Sequence, residues 1–210
     1  MNIYIVRHGE TLWNKEEVFR GRKDVPLNET GKKQAEKAGA YFAGISLSRI
    51  VSSPLQRAVQ TAEAISGTTG VRVETMEEFT DINFGIWEGL PRREVEERYP
   101  VDFGLWKTSP QKLQVNGGET LAMVRGRISG GLTKLTAYGE GAAAIVTHRV
   151  ICKMIVLSCL DIGDEHFWDL KYDPASITLL EGQQGNFTLA FSNDRCHLKE
   201  LGPGSAYRDF

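Results

Sequence analysis

The chain has 210 residues, 41% of them hydrophobic and 25% charged, the proportions of a globular protein long enough to bury a core without disulfide or metal staples. Its formal net charge is −2, with acids and bases interleaved, which excludes a broad nucleic-acid or anionic-membrane surface and leaves room for a local basic pocket. No stretch reaches the roughly 18 apolar residues of a membrane helix, and only about five apolar residues precede Arg7, too few for a secretory signal. Cys152, Cys159 and Cys196 form no CxxC pair, so free thiols and a cytoplasmic setting are the expectation.

A first strand is predicted over residues 3–6, and "NIYIVRHGETLWN" carries it straight into Arg7, His8 and Gly9. A helix over 31–43 follows, with Ala35, Ala38 and Phe42 on one face and Asn28 or Thr30 as its cap. The next strand, 48–52, runs through "SSPLQRA" into a helix over 54–66 with Pro54 in its first turn. A third strand is expected at 71–75. Residues 77–118 read as irregular, dense in charge, aromatics and glycine, with one helix at 91–99. Then come a helix at 120–137, a strand at 143–147 ending in "THR", and a strongly apolar helix at 149–160. Strands at 176–181 and 187–192, joined through "GQQGN", suggest an antiparallel hairpin, and residues 202–210 read as a frayed tail.

Strands alternating with helices imply an α/β fold: a three-layer α/β/α sandwich whose six-stranded sheet is mostly parallel, with one antiparallel edge. Such sheets bind ligands at the carboxyl ends of their strands. Three strand ends here deliver Arg7 with His8, Arg57 and His148, which is the composition of an anion site. Arginine forks and helix N-termini suit a dianionic phosphoryl group. A histidine flanked by cations stays neutral, so that its free nitrogen can attack phosphorus. Gly9 would let the backbone approach that group.

These residues stand in six stretches: "RHGETLWN" at 7–14, "GRKDVPLNETGKKQA" at 21–35, "VSSPLQRAVQTA" at 51–62, "DINFGIWEG" at 81–89, "NGGET" at 116–120 and "IVTHRVI" at 145–151. In that order they resemble the histidine phosphatases, also called the phosphoglycerate mutase-like superfamily, over nearly the whole chain. The resemblance implies one catalytic domain over 1–201, with 77–118 as its variable substrate side. It implies that His8 becomes phosphohistidine, that Arg7, Arg57, His148 and Asn14 hold the phosphoryl oxygens, and that neither metal nor cofactor is needed. It also leaves a homodimer through a sheet edge or helices as an option.

Two positions depart from the family pattern. The acid that protonates the leaving group is usually a glutamate, whereas this chain has Asp81, one methylene shorter. Many relatives continue with two glycines after the second histidine, whereas this chain has Arg149 after His148. The short segment between Gly89 and Gly117 resembles compact bacterial phosphatases, including those acting on phosphoserine and α-ribazole phosphate, more than the longer mutases. A small phosphate ester is therefore the expected partner, with a cofactor-dependent phosphoglycerate mutase and a weakly active or regulatory phosphate-binding protein as alternatives. The expected substrate rim draws on Glu10, Thr11, Gly21, Arg22 and Trp106, together with Phe19, Arg20, Phe84 and Lys107; Glu10 either borders the phosphate or braces its loop.

Overall fold

A computed structural model describes residues 1–137, 139, 141–183 and 186–202. Its sheet contains β1 (Asn2–Arg7), β2 (Leu47–Ser52), β3 (Val73–Thr75), β4 (Ala142–Thr147), β5 (Ile177–Gln183) and β6 (Asn186–Asp194), in the spatial order β3-β2-β4-β1-β5-β6. Strands β1 to β4 pair in parallel, with Ile5 opposite Ile145 and Val51 opposite Ile145 on its other side. β5 runs antiparallel to both β1 and β6, as the hairpin reading expected. The turn of that hairpin at 184–185 and the tail after Gly202 lie outside the described residues.

Alternation along each strand divides the core between two faces. Ile3, Ile5, Val51 and Ile145 pack with α6 (Leu121–Thr136), α7 (Arg149–Cys159) and the aromatic side chains of the 79–106 region. Val6, Ile50, Ala144 and Val146 turn the other way, onto Phe42, Ala58, Ala62 and Ile65 of the layer formed by α2 (Glu29–Tyr41) and α3 (Gln56–Thr69). The valine, isoleucine and phenylalanine side chains among them contribute about 1.5–3 kcal/mol each when fully buried. The three-layer expectation holds.

Asn28 caps α2, accepting the Gly31 N–H at 2.8 Å. Pro54 falls outside α3, because Leu55 is extended and serves as the cap. The third strand is shorter than expected, covering Val73–Thr75 only. The segment read as irregular holds two helices, α4 (Arg92–Arg98) and α5 (Pro100–Thr108), after the short helix α1 (Leu12–Lys15) near the first strand. α5 starts on Pro100, whose missing N–H costs nothing in a first turn, and it buries Phe103 and Trp106, three residues apart on one face. Cys152 is buried and Cys159 half-buried, both as free thiols; burial pushes Cys159 up to about 12, so it stays protonated. No helix among the described residues is long and apolar enough to cross a membrane.

Candidate active site

The carboxyl ends of β1, β2 and β4 lie side by side, and ladder-like hydrogen bonds extend past them. The His8 N–H donates to the Thr147 carbonyl at 2.8 Å and the Ser53 N–H to the Val146 carbonyl at 3.0 Å. Arg7, His8, Ser53, Arg57, Asp81 and His148 are thereby gathered in one buried cluster, none more than 5% exposed. The tight turn after β1 depends on two glycines meeting back to back. A Cβ on Gly9 would sit 2.5 Å from the Gly31 carbonyl oxygen, so Gly9 serves the packing of this loop on α2 rather than open space for a ligand.

His8 is held in one tautomer. Its Nδ1 lies 2.6 Å from the Gly9 carbonyl oxygen, which can only accept, so Nδ1 carries the proton. Nε2 then carries a lone pair, and it is buried without a hydrogen-bond partner. Burial, reinforced by the guanidinium groups of Arg57, Arg7 and Arg20, holds this imidazole well below its usual range. His148 is set the opposite way. Arg57 Nε donates to its Nδ1 at 3.2 Å, leaving Nε2–H to donate to the Ser53 hydroxyl at 2.7 Å. Burial, Arg57 and His8 depress it too. The two rings stand 5.1 Å apart.

Both histidines are therefore neutral in the folded protein at pH values where the unfolded chain binds protons. Stability from this source is complete above about pH 6.5. It falls as the pH drops from there toward the depressed folded values, by up to about 1.4 kcal/mol per pH unit for each ring. Urea midpoints measured between pH 7.5 and 5 should decline along this slope, and His8→Asn should flatten it; a slope unchanged by the substitution would contradict neutral burial of His8.

Arg57 ties the cluster together. Its Nη1 donates to the Lys23 carbonyl and its Nη2 to the Gly21 carbonyl, both at 2.8 Å, and Nη2 also reaches Asp81 Oδ2 at 3.2 Å. Asp81 Oδ2 stands 3.7 Å from His148 Nδ1. The shorter aspartate side chain thus reaches the cluster, and its loop is clamped from α6. Arg127 donates to the carbonyls of Glu78 at 2.7 Å and Asp81 at 3.3 Å while pairing with Glu119, and Glu119 accepts the Asn83 N–H at 2.9 Å. Arg7 donates to the Tyr172 carbonyl.

Asn14 accepts at Oδ1 from the N–H and hydroxyl of Thr11, both at 2.9 Å, which leaves its Nδ2 group as a donor. The other expected rim residues divide. Glu10 is buried, accepts from Asn28 at 2.7 Å and pairs with Lys15, so it braces the loop, as Thr11 does. Gly21 adopts φ +51° and presents its carbonyl to Arg57, while Arg22 pairs with Glu119 at 3.2 Å. Trp106 is not at the rim. It is 1% exposed, packed against Phe84, Phe167 and Trp168 at ring distances of 5.2–5.4 Å, because α5 turns its aromatic face inward.

Ser53, Arg127, Glu119 and Arg20 contribute to the cluster in ways the sequence reading does not assign. Ser53 sits in the quoted "SSPLQRA" stretch without a role, although its place just past a strand end is a usable hint. Arg127 comes from α6 and Glu119 from the quoted "NGGET" stretch just before it, and their hold on the Asp81 loop depends on tertiary contact. Arg20, expected only at the rim, lies close enough to His8 to depress it.

The model of a family described as "Histidine phosphatase superfamily (branch 1)" matches residues 3–195. Phosphoserine phosphatase 1 of Hydrogenobacter thermophilus is 31% identical over 96% of this chain and 96% of its own length. The uncharacterized phosphatase PhoE of Bacillus subtilis is 32% identical over 93% of this chain and 96% of its own. Among solved structures, YhfR of Bacillus stearothermophilus superimposes with a TM-score of 0.89 at 30% identity, covering 94% of this chain and 98% of that one.

Proposed function

The chain belongs to the histidine phosphatase superfamily and is a phosphoric monoester hydrolase, and we propose that it works on small phosphorylated metabolites without a metal, through a phosphohistidine at His8. The observation that carries this reading is the buried, unpartnered Nε2 of His8, whose tautomer is set by the Gly9 carbonyl. Nε2 attacks phosphorus as the ester P–O bond breaks, and the leaving oxygen takes a proton from Asp81. Water then attacks the phosphoryl group, the P–N bond breaks, and the water's proton passes to the Asp81 carboxylate. Inorganic phosphate leaves and His8 is restored.

Arg7, Arg57, His148 and the Asn14 amide supply positive charge and donors to the transferring oxygens, the electrostatic stabilisation on which phosphoryl transfer depends. Guanidinium and imidazole groups stand where a metal-dependent enzyme would need carboxylates. Release of phosphate should therefore persist in a chelator, and the relative named for phosphoserine makes O-phosphoserine the first ester to assay.

Asp81 carries the acid role by reach: its carboxylate joins Arg57 and His148 from a clamped loop. Asp81→Asn should slow hydrolysis of alkyl phosphates by about 100-fold or more, and of aryl phosphates, whose leaving groups need no proton, by less than about tenfold. Equal losses on both classes would remove the acid role.

A further inference from the structure

The turn at 172–176, "YDPAS", leads into β5 and takes no part in the steps above, yet it holds the Arg7–His8 segment at three points. The Arg7 N–H donates to the Ser176 carbonyl at 3.1 Å, and the Ala175 N–H donates to the His8 carbonyl at 3.2 Å. The Arg7 guanidinium donates through Nη1 to the Tyr172 carbonyl. Where Arg7 points therefore depends on where this turn sits. The turn is buried, and Ala175 within it adopts φ +54°, a left-handed conformation that persists in a residue with a Cβ only where its surroundings over-determine it.

The end of β6 supplies those surroundings. Asn193 Oδ1 accepts the Asp173 N–H at 2.7 Å, and its Nδ2 donates to Asp173 Oδ2 at 3.1 Å. The Asp173 carboxylate, with Lys171 at 3.4 Å and Arg195 at 3.8 Å, can only accept, so one orientation of the amide satisfies both bonds. His197 Nε2 adds a bond to the Ala175 carbonyl at 3.0 Å.

Asn193 is aimed at the turn by a bulge. The register of β5 and β6 shifts between the Ile177–Asp194 and Leu179–Phe191 pairs, so Ser192 and Asn193 together oppose Thr178. Asn193 takes φ +54° there, and its N–H donates to the Thr178 hydroxyl at 3.0 Å. Bulges beside active sites re-aim single side chains in this way. A glycine would suit that φ better than asparagine. The amide is what asparagine adds at this position.

We propose that Asn193 is a positioning residue of the phosphoryl site: by clasping Asp173 it fixes the turn whose Tyr172 carbonyl aims the Arg7 guanidinium. It touches no substrate and acts through Arg7. The proposal rests on the phosphatase reading for the role of Arg7 as a phosphoryl ligand. Misplacing such a group by about 1 Å can cost on the order of 100-fold, which makes a clasp far from the chemistry consequential.

The test is calorimetric binding of inorganic vanadate, a mimic of the transferring phosphoryl group, to the parent, Asn193→Gly, Arg7→Lys and the double variant. Arg7→Lys keeps a charge, and with it measurable affinity, but gives up the fork. Asn193→Gly should bind vanadate about tenfold more weakly or worse, with a thermal melt showing that it is folded. In the Arg7→Lys background the same change should cost at least severalfold less, because groups that act through one another are not additive. Asn193→Asp keeps the acceptor for the Asp173 N–H and sets a like charge against its carboxylate. It should show the same Arg7-dependent loss, and it carries the test where the glycine variant is unfolded. Full affinity in a folded Asn193 variant, or an equal loss with and without the Arg7 change, would overturn the positioning role. Aryl phosphate turnover by the parent tests the phosphatase reading separately: no turnover beside an Arg7-dependent loss of vanadate would sink the catalytic reading and leave the clasp standing.

Discussion

His8→Ala is expected to reduce kcat by a factor on the order of 10⁴ or more on every ester, because the covalent route runs through His8 Nε2, the unpartnered ring nitrogen of the cluster. The variant should remain folded. His8 is held neutral, its Nε2 makes no hydrogen bond and its Nδ1 bonds only the carbonyl of the adjacent Gly9, so the substitution removes a desolvated ring rather than a tie between distant segments. Far-ultraviolet circular dichroism and a thermal melt separate loss of chemistry from loss of fold. Residual kcat within tenfold of the parent, in a folded variant, would exclude His8 as the nucleophile.

Arg57→Ala should be damaging in both respects. The side chain is fully buried and bonds two backbone carbonyls of the 21–23 turn together with His148 and Asp81, tying three segments to α3. Its removal leaves the Asp81 carboxylate without its strongest cation and two carbonyls without donors, at a cost of about 3–5 kcal/mol. Catalysis should fall by about 10³-fold or more, the scale set by arginines that stabilise phosphoryl transfer. Arg57→Lys should recover little, since an ammonium cannot fork to several acceptors at once. Urea denaturation with kcat/KM on one ester reads both effects. A stability loss under about 1 kcal/mol would show that this network is not what assembles the site.

Much of the site was open to sequence reading because it sits where topology concentrates chemistry. Arg7, His8 and His148 terminate strands, and Arg57 opens the helix after one; their convergence follows from a parallel sheet, whatever the loops do. The order of strands and helices was legible for the same reason. Side-chain partnerships were not. Whether His148 donates to Ser53 or to a ligand depends on distances of a few tenths of an ångström, and Arg127 finds the Asp81 loop across the fold rather than along the chain. Trp106 illustrates the converse error: an aromatic in a loop-like stretch suggests a rim, but Phe103 and Trp106 share a helix face that the core claims. Gly9 was placed correctly for the wrong reason, since the atom it makes room for belongs to Gly31.

The central claim is a covalent phosphoryl–nitrogen bond at His8. Rapid acid-free quenching of the enzyme during turnover of an excess of aryl phosphate, followed by peptide mass spectrometry under alkaline conditions, reads it directly. A phosphoryl group on the peptide containing His8, stable in alkali, lost in mild acid and absent from His8→Ala, is the predicted result. Full turnover with no such adduct at any quench time would contradict the account and point to direct attack of water on the ester.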